Sequence, residues 1–121
     1  GGETVQIRPL RVDDEVRVAD LVRELSTQSR FRRFHLTMNE APRALLARLL
    51  DVDPQREYAL LATVRRGGVE IAVGEARYAA VSFKPGLREF ALVVGDRIQR
   101  AGLGTLLMQR LMRHATWRGV E

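Results

Sequence analysis

The sequence predicts an α/β fold of the α+β type, in which helices flank a mostly antiparallel mixed sheet. Apolar residues follow helical spacing up to about residue 50, change to long extended runs from residue 57, and return to helical spacing beyond residue 102. Two short turns that contain glycine separate the extended runs, and turns of this length connect antiparallel strands. The predicted order is therefore one strand, helices, three strands and a last helix.

The N-terminal part begins with a strand over residues 5–11, where apolar and polar residues alternate. Asp13 and Asp14 follow, and their carboxylates are suited to cap the helix that comes next. That helix carries one apolar stripe, which predicts that one of its faces lies on a core. The stripe consists of Val18, Leu21, Val22 and Leu25.

Two further segments precede the sheet. Residues 26–36 hold two phenylalanines three positions apart among arginines, which suits a short helical turn or a loop. The next segment starts with residues 39–42, whose proline is tolerated in the first turn of a helix. Its apolar stripe consists of Leu45, Leu46, Leu49 and Leu50. We expect this helix to end before the Asp-Pro pair at 53–54.

Three extended segments and a helix complete the chain. The strands are predicted over residues 58–64, 69–83 and 89–94. The turns at 65–68 and 84–86 are too short for a crossover helix, so the strands form an antiparallel meander. The last helix is predicted to end before Gly119, and its apolar face is formed by Leu103, Leu107, Met108, Leu111, Met112 and Ala115. We expect Met108, Met112 and Trp117 to pack in the structure rather than to bind a ligand.

Length and composition limit the classes of function. With 121 residues and 13.7 kDa, the chain is long enough for one domain with one core, predicted over residues 1–121. It has no cysteine and only two histidines, which excludes a disulfide framework, a thiol nucleophile and a cysteine-based zinc site. No apolar run reaches the roughly 18 residues of a membrane span, and the N-terminus lacks a secretory signal. We therefore expect a cytoplasmic protein without a bound metal.

The net charge of +5 comes almost entirely from arginine, since Lys84 is the only lysine among 20 basic residues. A guanidinium group can pair with two phosphate oxygens at once, so the arginine excess can mark a phosphate-binding surface. Codon bias is an alternative explanation. The arginines are spread over every predicted element and are interleaved with 15 acidic residues, which argues against a nucleic-acid-binding surface.

The passage from the last predicted strand into the last helix is a candidate binding site. The strand over 89–94 leads through Gly95 to Gly102 and Gly104 and then into the helix. The first N–H groups of a helix have no partner within it and, together with the helix dipole, favour a bound anion. Glycines lack a Cβ atom, so a ligand can approach the backbone closely. The same glycines could instead serve only to make a tight turn.

This passage resembles the acetyl-CoA signature of the GCN5-related N-acetyltransferase (GNAT) family, Q/R-x-x-G-x-G/A between the fourth strand and the third helix of that family. The matching residues are Gln99, Arg100, Ala101, Gly102, Leu103 and Gly104. A dinucleotide fingerprint would need a third glycine that is absent here. The predicted order of elements is also that of the first two thirds of a GNAT domain, and the resemblance covers nearly the whole chain.

Within this family, the chain is most similar to the GNAT domain attached to acyl-CoA synthetase-like domains in bacterial protein lysine acetyltransferases. The similarity lies in residues 7–10, 29–34, 53–60 and 89–94. GNAT domains continue after their third helix with a strand, a helix and further strands, so we expect a chain ending at Glu121 to lack this C-terminal part. The last strand would then present an open edge, which favours a homodimer.

The resemblance implies acetyl-CoA as the co-substrate and implies where it binds. The pantetheine arm would bind the backbone of the fourth strand at Leu92, Val93 and Val94. The pyrophosphate would lie on the segment from Arg100 to Thr105. The side chains of Arg97 and Arg100 could add charge-assisted contacts to it. A backbone N–H group near Val93 would polarise the thioester carbonyl.

Transfer to an amine needs a base, because a lysine ammonium has a pKa of about 10.4 and only the neutral amine attacks. Glu89 shares a strand face with Ala91 and Val93, an apolar setting that would raise its pKa. The resemblance implies a glutamate base at this position, whereas an exposed glutamate at a strand end can also be merely solvated. Glu75 and His35 are the other candidate bases.

The expected reaction is direct attack of the amine on the thioester, since the absence of cysteine excludes a cysteinyl intermediate. The acceptor implied by the resemblance is a protein lysine, such as one on an acyl-CoA synthetase. Two alternatives remain: a small amine as the acceptor, and a GNAT-like module that senses acyl-CoA without turnover.

Overall fold

The computed structural model describes residues 4–81, 84, 86–95 and 102–117, and within these ranges the elements follow the predicted order. The strands are β1 (Gln6–Pro9), β2 (Glu57–Arg66), β3 (Val69–Ala80) and β4 (Arg88–Val94). The helices are α1 (Glu15–Glu24), α2 (Thr27–Phe34), α3 (Arg43–Leu50) and α4 (Leu103–Trp117), and a 3₁₀ turn, Val12–Asp14, precedes α1. None of the helices in these ranges is long and apolar enough to cross a membrane.

The four strands form one antiparallel sheet in the order β1-β2-β3-β4, which confirms the predicted α/β fold with its antiparallel meander. Gly67 and Gly68 form the turn between β2 and β3 with φ angles of 57° and 80°. Two consecutive residues with positive φ match the twist of a hairpin, and glycine adopts this conformation without steric cost. β3 ends at Ala80, whereas the pattern predicted an end at residue 83, which lies outside the described residues.

Helices cover both faces of the sheet, because alternate strand residues point to opposite sides. On one face, α4 packs on the strands through Leu103, Leu107, Leu111 and Ala115, which meet Leu60, Ala62, Ala76 and Tyr78. On the other face, α1 and α3 contribute Val18, Leu21, Val22, Leu25, Leu45, Leu46 and Leu49, which meet Leu61, Ala72 and Val93. The stripes predicted for α1 and α3 are therefore the buried faces of these helices.

The predicted face of α4 is buried at Leu103, Leu107, Leu111 and Ala115, but of Met108, Met112 and Trp117 only Met108 packs as predicted. Met108 is half-buried against the sheet, but Met112 and Trp117 are 56% and 80% exposed. The buried stripe of α4 follows a spacing of four residues from Leu103 to Ala115, and positions 112 and 117 lie outside it. The expectation that Met112 and Trp117 pack against the sheet is therefore wrong.

The segment predicted as a short helical turn or a loop is a helix of eight residues, α2. Its N-cap is Ser26, whose hydroxyl accepts a hydrogen bond from the N–H of Ser29 at 3.1 Å. Arg30 is only 3% exposed and donates hydrogen bonds to the carbonyl oxygens of Val22 and Leu25 at 3.1 and 2.7 Å. These carbonyls lie at the end of α1, where that of Val22 also accepts a hydrogen bond from the N–H of Leu25 at 3.3 Å, so the guanidinium group of Arg30 joins the two helices.

Asp14 caps the 3₁₀ turn rather than α1. Its carboxylate is fully buried and accepts hydrogen bonds from the side chains of Arg8 and Arg17 and from the backbone N–H of Arg11, at 2.7 to 2.9 Å. Burial alone would raise the pKa of Asp14, but the hydrogen bonds from Arg8 and Arg11 and the charges of Arg8 and Arg17 lower it to about 2. This cluster ties β1 to the start of α1.

We expect Asp14 to make the protein sensitive to acid. A carboxyl group whose pKa is lower in the folded than in the unfolded protein stabilises the fold above its unfolded pKa, here near 3.8, and loses this effect as the pH falls toward 2. Its contribution is about 2 kcal/mol. The difference in unfolding free energy between the parent and Asp14→Asn should therefore shrink by that amount on acidification, as measured with denaturant. The exposed neighbour Asp13, changed to Asn, is the control. An unchanged difference would contradict this role.

Candidate active site

A cavity of about 710 Å³ lies between α2 and the neighbouring strands β3 and β4. Its walls are formed by residues 89–94 of β4, by Arg77 and Ala79 of β3, by Ser29, Arg32 and Arg33 of α2, and by His35. Cavities of this volume are typical of small-molecule sites. The cavity brings the predicted base, Glu89, together with strand residues 92–94, which were predicted to bind the co-substrate.

One wall of the cavity is strand β4. Within the described sheet β4 pairs with β3 alone, so its other edge is not bonded to a strand. A ligand arm that contains amide groups can bind such an edge as an added strand would. Val93 is 7% exposed and its side chain belongs to the core under α1. At this position a ligand would therefore contact mainly backbone.

Glu89 lies at the start of β4, on the strand face that alternation predicts. Its side chain is exposed at the cavity rather than enclosed by apolar residues, so the predicted apolar setting is wrong. The register of the sheet explains the difference, because Ala91 pairs with Arg77 and Val93 pairs with Glu75. On the neighbouring strand β3, the sheet face that carries Glu89 therefore holds the charged side chains of Glu75 and Arg77.

Glu75, the second candidate base, is buried in an ion-pair cluster behind the cavity. Its carboxylate is 1% exposed and accepts hydrogen bonds from Arg33 at 2.8 and 3.1 Å and from Arg77 at 2.7 Å. Arg77 also donates to the carbonyl oxygen of Leu49 at 2.8 Å. Both carboxylate oxygens of Glu75 are occupied by guanidinium groups, so it does not face the cavity as a free base. Its role is to join α2, α3 and β3.

His35 ends α2 in the left-handed conformation, with φ 56°. A residue other than glycine is rare there, and the conformation is strained. The backbone N–H of His35 donates to the carbonyl oxygen of Phe31 at 2.8 Å, and the two rings meet edge to face at 5.8 Å. The side chain is exposed and lines the cavity that also contains Glu89.

The glycines of the acetyl-CoA signature lie at the start of α4. Gly102 has φ 104°, and its carbonyl accepts a hydrogen bond from the N–H of Leu106 at 2.8 Å. A Cβ atom on Gly102 would meet no described atom within 4 Å, and one on Gly104 would meet only Val94, at 3.8 Å. The start of α4 is therefore open to a ligand and close to the end of β4. Leu103 is buried, Thr105 is exposed, and Gln99, Arg100, Ala101 and Arg97 lie outside the described residues.

The cavity also contains residues that the sequence did not assign to the site. They are Ser29, Arg32, Arg33, Arg77, Ala79, Phe90 and Ala91. The signal that could have found two of them, Arg32 and Arg33, is the composition of α2, which contains three arginines and no acidic residue. In the described ranges, no group of three histidine, aspartate or glutamate side chains could hold a metal ion.

Two curated proteins are similar to the chain in sequence. Acetyltransferase PA5475 of Pseudomonas aeruginosa is 39% identical over 111 residues, which are 92% of this chain and 59% of that protein. Acetyltransferase Pat of Mycolicibacterium smegmatis is 30% identical over 120 residues, which are 99% of this chain and 35% of that protein. The chain thus spans less than two thirds of either relative. No model of a known protein family matches it.

Solved structures share the fold. The GNAT domain of Streptomyces lividans PAT superposes with a TM-score of 0.81 at 22% identity, over 98% of this chain and 73% of that domain. An N-acetyltransferase of Thermoplasma acidophilum, solved in complex with coenzyme A, superposes with a TM-score of 0.66 at 14% identity, over 97% of this chain and 75% of the other. The fold is therefore that of a GNAT domain. The fold and the sequence similarity to two proteins named acetyltransferases agree with the resemblance to the GNAT family.

Proposed function

We propose that this chain forms the acetyl-CoA-binding part of an N-acetyltransferase that acts on an amine, with Glu89 as general base and a protein lysine as acceptor. The observation that carries the proposal is one cavity that holds Glu89 beside the open edge of β4, next to the start of α4. Two relatives named acetyltransferases and a structural neighbour that binds coenzyme A support it.

The residues present fit acetyl-CoA in two places. The open edge of β4 at residues 92–94 offers backbone groups to the amides of the pantetheine arm. The start of α4 offers N–H groups and the positive end of the helix dipole to the pyrophosphate, with open space around Gly102. Bound acetyl-CoA would supply an acetyl thioester at the cavity.

Glu89 would then receive the proton of the acceptor amine. A carboxylate is a weaker base than an amine, so it serves best when it holds the ammonium group at the reaction site and takes its proton directly or through one water molecule. The exposed position of Glu89 in the cavity leaves room for both arrangements. A backbone N–H of β4 near Val93 would polarise the carbonyl oxygen under attack.

The experiment that tests the function is a coenzyme A release assay with acetyl-CoA, in which an acyl-CoA synthetase and a panel of small amines are offered as acceptors. Release that depends on the synthetase supports a protein lysine as the acceptor. Release with small amines alone would contradict that part of the proposal. If acetyl-CoA binds and no acceptor gives release, the alternative of an acyl-CoA sensor is favoured instead.

Changing Gly102 to aspartate should weaken acetyl-CoA binding by at least about tenfold, because a carboxylate would stand where the pyrophosphate is expected and like charges repel. Calorimetric titration with acetyl-CoA measures the effect. The control is Gly102→Ala, which shares the strain of a side chain at φ 104° but not the charge. Equal affinities of the two variants would show that no phosphate lies near Gly102.

A further inference from the structure

Within the described residues, helix α2 leaves one guanidinium group without a partner at the cavity. Of its three arginines, Arg30 is buried against the end of α1, and Arg33 is paired with Glu75 at 2.8 Å. Arg32 is exposed and lines the cavity, and it has no hydrogen-bond or ion-pair partner among the described residues. The charge of Arg32 is therefore available to a ligand.

A second recess, of about 260 Å³, adjoins the cavity and shares the side chains of Arg33, His35 and Arg77 with it. Arg48 of α3 lines this recess, is exposed, and likewise has no partner within the part of the chain that the structure describes. Glu57 also lines it, but its carboxylate lies 3.7 Å from the guanidinium group of Arg77. Positive charge thus extends from the cavity toward α3.

The balance of charge at the cavity restricts what an acceptor can be. Arg33 and Arg77 both pair with Glu75, and Arg77 also lies 3.7 Å from the carboxylate of Glu57, so the charges of this cluster balance. Arg32 and Glu89 therefore supply the remaining charges at the cavity, and a plain ammonium group is attracted by Glu89 and repelled by Arg32. An acceptor that carries an anionic group near its amine would be attracted by both residues, with its anionic group toward Arg32 and its ammonium group toward Glu89. The charges of the cavity are therefore complementary to a zwitterion.

Building on the proposed acetyltransferase function, we propose that the acceptor amine has an anionic group close to it and that Arg32 binds this group. Arg48 lies where a longer acceptor would extend. The same chemistry occurs in a lysine that neighbours an acidic residue in a polypeptide and in a free amino acid with a terminal amine. Arg32 is thereby a specificity-determining residue, and Glu89 receives the ammonium end.

Equilibrium binding to the protein saturated with coenzyme A tests the proposal without relying on turnover. The small-molecule pair is 6-aminohexanoate and its neutral amide, and the peptide pair is a short peptide with Lys-Glu or with Lys-Gln at its centre. The acidic member of at least one pair should bind about fivefold more tightly. Arg32→Gln should reduce that difference to about twofold or less, and Arg32→Glu should reverse it. Arg43→Gln, an exposed arginine of α3 that lines neither recess, should keep it.

A preference in the peptide pair identifies a polypeptide acceptor, and a preference in the small pair alone identifies a free amino acid. Equal binding of the acidic and neutral members of both pairs overturns the proposal, as does a preference that survives Arg32→Gln. Weaker coenzyme A binding in Arg32→Gln also overturns it, because Arg32 would then bind the co-substrate. Failure of the proposed function is a separate result: coenzyme A release would be absent with every acceptor, whatever the binding preference.

Discussion

Glu89→Gln should lower kcat by about a hundredfold or more, because general-base catalysis contributes factors of this size. Glutamine preserves the shape of the side chain but cannot take a proton from the acceptor. Affinity for acetyl-CoA should stay near that of the parent, since the contacts expected for the co-substrate lie along the backbone of β4 and at the start of α4. Steady-state kinetics together with calorimetric titration separate these two quantities.

The pH dependence makes this result specific to a base. As the pH rises, more of the acceptor amine is neutral without help from the protein, so the defect of Glu89→Gln should become smaller at alkaline pH. The control is Glu15→Gln, an exposed acid in the first turn of α1 that does not line the cavity. A variant with parental kcat at every pH would remove Glu89 from the mechanism.

Glu75→Gln should destabilise the fold by about 3 kcal/mol, because it leaves the largely buried guanidinium group of Arg33 without a counter-charge and that of Arg77 with the outer carboxylate of Glu57 alone. Arg33 and Arg77 both bond to this carboxylate, and their side chains are only 13% and 10% exposed. Denaturant unfolding followed by circular dichroism measures the loss. The effect should be large because the cluster joins α2, α3 and the middle of the sheet.

Glu57→Gln is the matched control for this change. Glu57 lies 3.7 Å from the same guanidinium group of Arg77 but is 24% exposed, so its removal should cost less than about 1 kcal/mol. Comparing the two variants therefore distinguishes the stability that comes from the buried cluster from that of the outer contact. If Glu75→Gln kept the parental stability and lowered kcat instead, Glu75 rather than Glu89 would be the better candidate for the base.

The helices and strands could be predicted because their apolar spacing is a local property of the chain. The stripe of α1 and the alternation in β4 are each contained within a single element. Helix α2 was not predicted with the same clarity, since its polar residues leave no apolar stripe. It is held instead by Ser26 at its N-cap and by Arg30 on the end of α1, and the second of these contacts depends on the three-dimensional fold.

Contacts between distant parts of the chain also explain why the site could be predicted only in part. The sequence places Glu75 and Glu89 alike in strands, and the difference between them arises from α2, which brings Arg33 onto Glu75 and leaves Glu89 at the open cavity. The contacts involved join residues 42 positions apart in the chain. Alternation along β4 gave the correct face for Glu89 but could not show that the neighbouring strand supplies Arg77 beside it.

The pairing of β1 with β2 differs from the other strand pairs in the distance that the chain must travel. Pro9 meets Leu60 only after three helices have intervened, whereas β2, β3 and β4 follow one another through short turns. Closing a long loop costs more chain entropy than closing a hairpin. Assembly of the sheet is therefore favoured to begin from the β2–β3 hairpin. Strand β1 then joins a sheet in which β3 and β4, the two strands that line the cavity, can already be paired.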